Sequence, residues 1–185
     1  MNTDLAKTIR RATAADAPWM VLIRAEPSVR RFQPLHQHTV ERMAAILARR
    51  ESTPLDRDLD GKVQWVIEYD GLCAGWVSLD VTSRVHGVAS VGYSVSEAFR
   101  GRGLATGAVR EVIAITFDPD GPALERLEAN AAVENIASRS VLTKAGFREE
   151  GIAAGLLVID GVRVDHVRFG LMRPSWETQS EPFSG

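Results

Sequence analysis

The spacing of hydrophobic positions changes along the chain, and its first third indicates mostly helix. Residues 7–12 are predicted to form a short strand. Apolar positions at helical spacing then predict a helix that follows Thr13 as its cap and stops at Pro27. A second helix is predicted over residues 39–50, with Thr39 as its cap.

Alternation of period two replaces the helical pattern at Lys62 and predicts strands. The runs KVQWVIEY and LCAGWVSLD are separated by Asp70-Gly71, a dipeptide that tolerates the positive φ values of a tight hairpin turn. A third strand is predicted over residues 88–96, and Gly92 within it is interpreted as the mark of a bulge.

The second half of the chain interleaves helices with strands. A largely apolar helix is predicted over about residues 102–117, followed by a strand over 123–130. Another helix is predicted to start near Asn135 and to stop at Gly146. Asp160-Gly161 then indicates a final hairpin.

This order of elements predicts an α+β fold. Hairpins require antiparallel pairing, whereas strand–helix–strand units require parallel pairing, so the sheet is expected to be mixed. We expect a single domain over residues 1–174 and a polar, disordered tail over 175–185.

Composition excludes several classes of function. The chain has 185 residues and a net charge of −2, so no general attraction to nucleic acid or to an anionic membrane is expected. No apolar run reaches the length of a membrane span, and the first ten residues lack the apolar core of a secretory signal. Cys73 and the four histidines do not combine in zinc-finger spacing. A cytoplasmic protein without a metal is therefore expected.

The segment FRGRGLATGAVREVIAI, residues 99–115, is the strongest chemical signal. It lies between a predicted strand and a predicted helix, where the first helical N–H groups have no internal partner. Gly101 and Gly103 allow the backbone to approach a ligand, and Arg100 and Arg102 add positive charge. The combination favours a pyrophosphate or a similar anion.

Three other interpretations of this segment are weighed against an anion site. The glycines can simply turn a solvated loop. A P-loop is poorly supported because no Gly-Lys-Ser or Gly-Lys-Thr ends the motif. A dinucleotide site would use Gly101, Gly103 and Gly107, but it needs an acidic residue at the end of the following strand and mainly parallel strands. Asp118 and Asp120 precede any such strand.

These motifs resemble the Gcn5-related N-acetyltransferases (GNAT). The family's phosphate motif is Gln/Arg-x-x-Gly-x-Gly/Ala, and residues 100–105, RGRGLA, fit it. The longer strings GYSVSEAFRGRGLATGAVR and NIASRSVLTKAGF resemble the RimJ/RimL-type ribosomal-protein alanine acetyltransferases. The resemblance covers about residues 8–176 and implies the GNAT fold, with a central, mostly antiparallel twisted sheet flanked by helices.

The resemblance implies that the protein binds acetyl-CoA and an amine together, and that the amine attacks the thioester directly. The edge of the strand over residues 88–96 is expected to align the pantetheine arm. The residues expected to bind acetyl-CoA are Val95, Arg100, Gly101, Arg102, Gly103, Leu104, Ala105, Thr106, Asn135 and Ser138.

Two catalytic roles are assigned as expectations. Glu128, on the predicted strand beside the phosphate-binding unit, is the first candidate to accept the amine's proton, with Asp165 second and a water chain as the alternative. Many relatives hold a tyrosine four residues before Gly146-Phe147, but here that position is Leu142. Ser138 is therefore the candidate partner of the departing thiolate, although its hydroxyl could instead bond to its own helix. Tyr93 is interpreted mainly as a packing residue.

The acceptor amine stays open at this level. The branch suggests a protein N-terminus, but the same scaffold serves polyamines, antibiotics and amino acids. Arg30 and Arg31, in the loop expected to line the acceptor groove, are candidates to meet an acidic substrate. A non-catalytic acyl-CoA sensor and a nicotinamide-dependent oxidoreductase are the competing functions, and a homodimer is left open.

Overall fold

The computed structural model describes residues 9–180 as one sheet with helices on both faces. The described strands are β1 (Ile9–Arg11), β2 (Lys62–Tyr69), β3 (Leu72–Ser83), β4 (Val88–Val95), β5 (Arg126–Ala132), β6 (Arg148–Ile159) and β7 (Val162–Met172). The described helices are α1 (Ala17–Ala25), α2 (Pro27–Arg30), α3 (Val40–Glu51), α4 (Leu104–Phe117), α5 (Ile136–Lys144) and α6 (Arg173–Ser180). Short 3₁₀ turns precede α1 and follow β4.

The strands form one mixed sheet in the order β1-β2-β3-β4-β5-β7-β6. Among the described strands only β4 and β5 pair in parallel, and every other neighbouring pair is antiparallel. The expected mixed, mostly antiparallel sheet is therefore confirmed. The same topology contradicts the dinucleotide interpretation, which needs mainly parallel strands.

The two faces of the sheet are covered by different helices. The larger core joins α4 and α5 to one face, through side chains such as Val109, Ile113 and Leu142. The smaller core joins α1 and α3 to the other face, through Met20 and Leu47 among others. Apolar burial on both faces fixes the sheet between two helical layers.

The sheet splits between β4 and β5, and this split positions the site. The two strands pair only from Val88 to Ser90, with Ser90 opposite Glu128. Beyond that row β4 keeps its pairing with β3 while it leaves β5. The bulge expected at Gly92 is wrong, because Gly92 pairs in regular register with Ser78. A cleft opens instead on the β5 side.

Local turn and cap signals in the sequence agree with the structure. Asp70 and Gly71 have φ values of 50° and 74°, as a tight turn between β2 and β3 requires. Thr39 caps α3 by accepting a hydrogen bond from the Arg42 amide at 3.3 Å. Gly146 ends the α5 region with a φ of 103°, a conformation that glycine adopts readily.

Some element bounds differ from prediction, for identifiable reasons. Pro27 ends one helix but also occupies the first position of α2, where its missing N–H costs nothing. The strand predicted from residue 123 begins at Arg126, because Ala123 has a φ of 48°, which is not extended. No described helix is both long and apolar enough to cross a bilayer.

The disordered tail expected from residue 175 is wrong as far as Ser180, which ends helix α6. Trp176 packs against Phe117 with ring centroids 5.7 Å apart, and Arg173 donates to Glu125 at 2.5 Å. These contacts anchor the helix to the domain. Residues 181–185 of the expected tail lie outside the described residues.

Candidate functional site

The N-terminus of α4 supplies a cluster of free backbone N–H groups beside the split. Gly103 occupies the cap position with a φ of 77°, and no side chain caps the helix there. The first amides of a helix have no internal acceptor, so those at Leu104, Ala105 and Thr106 are available to a ligand. In a helix of 14 residues the aligned peptide dipoles also favour an anion at this end.

The two glycines before α4 are required by their backbone conformation. Gly101 and Gly103 have φ values of 75° and 77°, which side-chain-bearing residues rarely adopt. A Cβ built at either position would meet no protein atom within 4 Å. The space beside this loop is therefore open to a ligand.

Arg100 and Arg102 place two guanidinium groups at the same loop. Arg100 donates to the Val95 carbonyl and to the Ser28 hydroxyl, both at 3.1 Å, so it ties the loop to β4 and α2. The Arg102 guanidinium lies 5.1 Å from the centre of the Tyr69 ring, a cation–π arrangement. Together they add positive charge to the free amides of α4.

Two hydroxyl groups meet across the split, one from β4 and one from α5. The Tyr93 hydroxyl lies 2.9 Å from the Ser138 hydroxyl and 3.1 Å from the Ser138 carbonyl oxygen. Burial raises the pKa of Tyr93 to about 12, although the hydrogen bond with Ser138 lowers it in part. The phenol is therefore protonated at neutral pH and available as a hydrogen-bond donor.

Asn135 fixes the start of α5 and with it the position of Ser138. Its side-chain oxygen accepts a hydrogen bond from the Ser138 amide at 3.1 Å, which makes it the cap of the helix. The Ser138 hydroxyl bonds to Tyr93 rather than to its own helix backbone. Leu142 is fully buried in the core, so the tyrosine position of many relatives contributes no hydroxyl here.

A cavity of about 460 Å³, called the main cleft below, connects these groups. It runs between the end of β4, the N-terminus of α4 and the first turn of α5. All ten residues expected to bind acetyl-CoA line it: Val95, Arg100, Gly101, Arg102, Gly103, Leu104, Ala105, Thr106, Asn135 and Ser138. The structure thus brings them to one place.

Several residues of the main cleft were not selected from the sequence. Tyr93 packs against the larger core, as the sequence predicts, and it also lines the cleft beside Ser138. Ser28, Val29, Phe32 and Gln33 close the cleft from the α2 side. The alternation of β4 already places Tyr93 on the same face as Val91 and Val95, but no local pattern predicts that α2 folds over that strand.

The two candidate proton acceptors lie outside the main cleft. Glu128 sits at the closed end of the split, opposite Ser90, and its carboxylate accepts a hydrogen bond from Arg126 at 2.9 Å. Arg126 also pairs with Glu150 at 2.5 Å. Asp165 accepts a hydrogen bond from the Gly155 amide at 2.6 Å, so it stabilises an irregular stretch of β6.

A second, smaller cavity of about 190 Å³, called the side cavity below, adjoins the main cleft. It lies between the segment after α2 and the turn of the β6–β7 hairpin. Leu35, Val158 and Ile159 give it an apolar lining, while Arg30 and Asp160 approach each other to 3.9 Å at its edge. Gln33 lines both cavities.

Two partly buried arginines, Arg24 on α1 and Arg50 on α3, lie near one another, and Arg24 also contacts the lining of the side cavity. Arg24 donates to the carbonyl of His36, a lining residue, at 3.4 Å. The Nε atoms of Arg24 and Arg50 are buried and find no hydrogen-bond acceptor among the described residues. Burial lowers the pKa of both guanidinium groups, and Arg24 lowers that of Arg50 further. Arg24 therefore adds positive charge beside the side cavity, whose own lining pairs Arg30 with Asp160.

No group of three or more His, Cys, Asp or Glu residues that could hold a metal ion occurs within residues 9–180. The main cleft instead offers backbone amides, guanidinium groups and hydroxyls. These donors suit phosphate and amide groups of a ligand.

Comparison with known proteins identifies a family for this fold and site. Residues 8–148 match the profile described as "Acetyltransferase (GNAT) domain". The putative ribosomal N-acetyltransferase YdaF of Bacillus subtilis is 36% identical over 120 residues, which are 65% of this chain and 64% of that protein. The [Ribosomal protein uS5]-alanine N-acetyltransferase of Escherichia coli is 35% identical over 86 residues, covering 46% of this chain and 43% of that protein.

Solved structures share almost the whole fold. RimJ from Mycobacterium smegmatis, solved in complex with CoA-disulfide, is 27% identical with a TM-score of 0.75. The match covers 94% of this chain and 83% of that chain. The curated relatives above are matched over less than two thirds of their own length, so they indicate the family more firmly than the substrate.

Proposed function

The chain belongs to the GNAT acetyltransferase family, and from this we propose that it is an N-acetyltransferase of the RimJ/RimL type that moves an acetyl group from acetyl-CoA to a primary amine. The observation that supports this most directly is the main cleft. It joins an anion site at the start of α4 to the Tyr93–Ser138 hydroxyl pair. A phosphate-bearing carrier with a reactive thioester at its far end needs these two features.

The residues of the main cleft fit acetyl-CoA. The amides of residues 103–106 and the guanidinium groups of Arg100 and Arg102 would hold the pyrophosphate. The carbonyls of Tyr93 and Val95 face the split, since side chains from outside the sheet donate to both, and they would bond to pantetheine amides. Asn135 would help to hold the same arm.

Direct attack requires one bond to form as another breaks. The neutral amine nitrogen uses its lone pair to form a bond to the acyl carbon, the carbon–sulfur bond breaks, and the sulfur leaves as a thiolate with the electron pair of the carbon–sulfur bond. Ser138 would donate a hydrogen bond to the departing sulfur, and Tyr93 would donate to the Ser138 hydroxyl in turn. Such a relay lowers the energy of the developing thiolate.

The amine must also lose a proton, and Glu128 is the proposed acceptor. The described lining of the main cleft contains no carboxylate, so the proton would travel through water. Glu128 lies at the closed end of the split, on β5. The next element in the chain is α5, which carries Ser138. Asp165 is less suited because its carboxylate is occupied by the Gly155 amide.

The proposed acceptor is the N-terminal amine of a protein. The named relatives that act on ribosomal proteins support this class. Arg30, which lines the side cavity, and Arg24, which contacts its lining residue His36, support it as well, because they would repel a polyamine and attract acidic groups near a peptide N-terminus. The acceptor would enter through the side cavity.

Release of free CoA from acetyl-CoA tests the proposal. Purified protein is mixed with peptides that begin with alanine, with free amino acids, with spermidine and with an aminoglycoside, while the melting temperature is followed with and without CoA. We expect CoA to raise the melting temperature and one or more peptides to release CoA. Stabilisation by CoA without release on any amine would indicate the acyl-CoA sensor instead, and no stabilisation would refute both.

A further inference from the structure

The side chain of Gln33 bridges the loop after α2 to the open edge of β4. Its Nε2 atom lies 3.0 Å from the Tyr93 carbonyl oxygen and 3.0 Å from the Ser94 hydroxyl oxygen. Its own backbone is fixed as well, because its amide donates to Arg30 at 3.1 Å and its carbonyl accepts from Leu35 at 2.8 Å. The residue is therefore held at both ends.

These contacts determine which way the Gln33 amide points. A backbone carbonyl only accepts hydrogen bonds, so the atom facing Tyr93 must be the NH₂ group. With both N–H groups directed at β4, the Oε1 atom faces away from the strand. Among residues 9–180, no group donates a hydrogen bond to the Gln33 Oε1 atom.

The position of Gln33 indicates a function for this oxygen. Gln33 is the one described residue that lines both the main cleft and the side cavity. An amine that enters by the side cavity, as proposed above, would pass Gln33 on its way to Ser138. A primary amine has N–H groups that need an acceptor while its lone pair points at the acyl carbon.

We propose that Gln33 binds the attacking amine through its Oε1 atom and so orients it towards the thioester; this rests on the proposed function. An amide oxygen suits this task better than a carboxylate. A negative charge would stabilise the ammonium form of the substrate, which has no lone pair, whereas the neutral oxygen holds the N–H without that effect. Gln33 also keeps Tyr93 in place by its hydrogen bond to the strand.

Steady-state kinetics of Gln33→Met with an active peptide tests the inference. Methionine keeps the length of the side chain but removes the oxygen and both N–H groups. We expect the KM for the amine to rise about three- to tenfold, the effect of one hydrogen bond, with the Kd for CoA changed less than about twofold. Gln33→Glu restores an oxygen but adds charge, so its activity should recover only at higher pH.

A matched control lies four residues further along. Gln37 is exposed and lines neither cavity, so Gln37→Met should leave both constants unchanged. Unchanged amine KM and kcat in Gln33→Met, or an equal loss of CoA and amine binding, would overturn the role of Gln33 alone. Wild-type protein that transfers no acetyl group to any amine would overturn the proposed function, and this inference with it.

Discussion

The hydroxyl of Tyr93 lies beside Ser138 at the start of α5, a helix that has no tyrosine of its own. At the position where many relatives have a tyrosine, this chain has Leu142, which is buried in the core. Tyr93 reaches Ser138 from the neighbouring strand instead, at 2.9 Å between the two oxygens. A phenol is thus present near the proposed site of the thiolate, although a different element contributes it.

Replacing Ser138 by alanine removes the proposed donor to the sulfur. We expect kcat to fall about ten- to a hundredfold, because one partner of the departing group is lost, while CoA affinity changes little. Tyr93→Phe should lower kcat less, by about three- to tenfold, since Ser138 remains. A steady-state assay of CoA release measures kcat, and calorimetry measures CoA affinity, so the two effects are separated.

The high pKa of Tyr93 adds a test of pH dependence to this pair. Because burial raises the pKa to about 12, the phenol stays protonated through the alkaline range in which the amine becomes neutral. Wild-type turnover should therefore rise with pH and hold a plateau rather than fall at alkaline pH. An alkaline fall that Tyr93→Phe abolishes would contradict this assignment, as would Ser138→Ala with unchanged kcat.

The role of Glu128 is a separate prediction. If Glu128 receives the proton through water, Glu128→Gln should lower kcat at neutral pH and flatten the acidic side of the pH–rate profile. Because Arg126 also contacts Glu150, loss of Glu128 leaves that cation paired and should not unfold the protein. An identical profile in the variant would leave water alone as the acceptor.

Residue-level chemistry was predictable where a local motif defines it. The spacing of Gly101 and Gly103 before an apolar helix sufficed to predict the glycine-rich start of α4, because helix starts have fixed geometry. Tyr93 and Gln33 were beyond such reasoning. Their contacts depend on which strands are neighbours and on how α2 covers β4, and both are set by pairing distant in sequence.

At the scale of elements, the start of α4 is the part on which the proposed binding of acetyl-CoA depends. The free amides, the two positive φ values and the two arginines lie within seven residues, 100–106. Secondary structure around it followed the sequence closely, since hairpin turns and helix caps are local signals. The bounds of β5 and the formation of α6 did not, because a positive φ at Ala123 and the packing of Trp176 on Phe117 are tertiary effects.

Gly103→Glu tests this element directly. The substitution places a carboxylate at the helix N-terminus, where it competes with the pyrophosphate, and CoA affinity should fall by about 2 kcal/mol or about thirtyfold. A side chain at a φ of 77° also costs about 1–2 kcal/mol of folding stability. Thermal protection by CoA should therefore be lost from a somewhat less stable protein.

Gly61→Glu separates the two effects. Gly61 has a φ of 85°, and a Cβ there also meets no atom within 4 Å, so the strain is the same. It does not line either cavity. We expect an equal loss of melting temperature with full protection by CoA, and equal loss of protection in both variants would show that strain alone is responsible.

At the scale of the whole molecule, charge is distributed unevenly. The chain has a net charge of −2, yet residues 24–50 contain six arginines against two glutamates. Part of that segment borders the side cavity, where Arg30 faces Asp160 and Arg24 contacts the lining residue His36. The net charge of the whole chain therefore does not describe the local charge near the side cavity.

This asymmetry predicts a preference among acceptors that the fold does not determine. Peptides with acidic residues after their N-terminus should have a lower KM than peptides of the same length with lysines, and spermidine should be the poorest acceptor. Since part of the attraction acts through solvent, raising the salt concentration from about 0.05 to 0.5 M should raise the KM of the acidic peptide about threefold. KM measured at each salt concentration gives both results.

Two charge reversals distinguish an effect of charge at the side cavity from an effect of the overall positive charge of residues 24–50. Arg30→Glu and Arg49→Glu change the net charge equally, but only Arg30 lines the side cavity. We expect Arg30→Glu to raise the KM of the acidic peptide about tenfold and Arg49→Glu about twofold, because charge interactions between exposed groups weaken steeply with distance in salt. Equal effects would mean that the acceptor is attracted by the whole face and enters elsewhere. A larger effect of Arg30 would mean that the acceptor's acidic groups pass through this cavity on the way to Ser138.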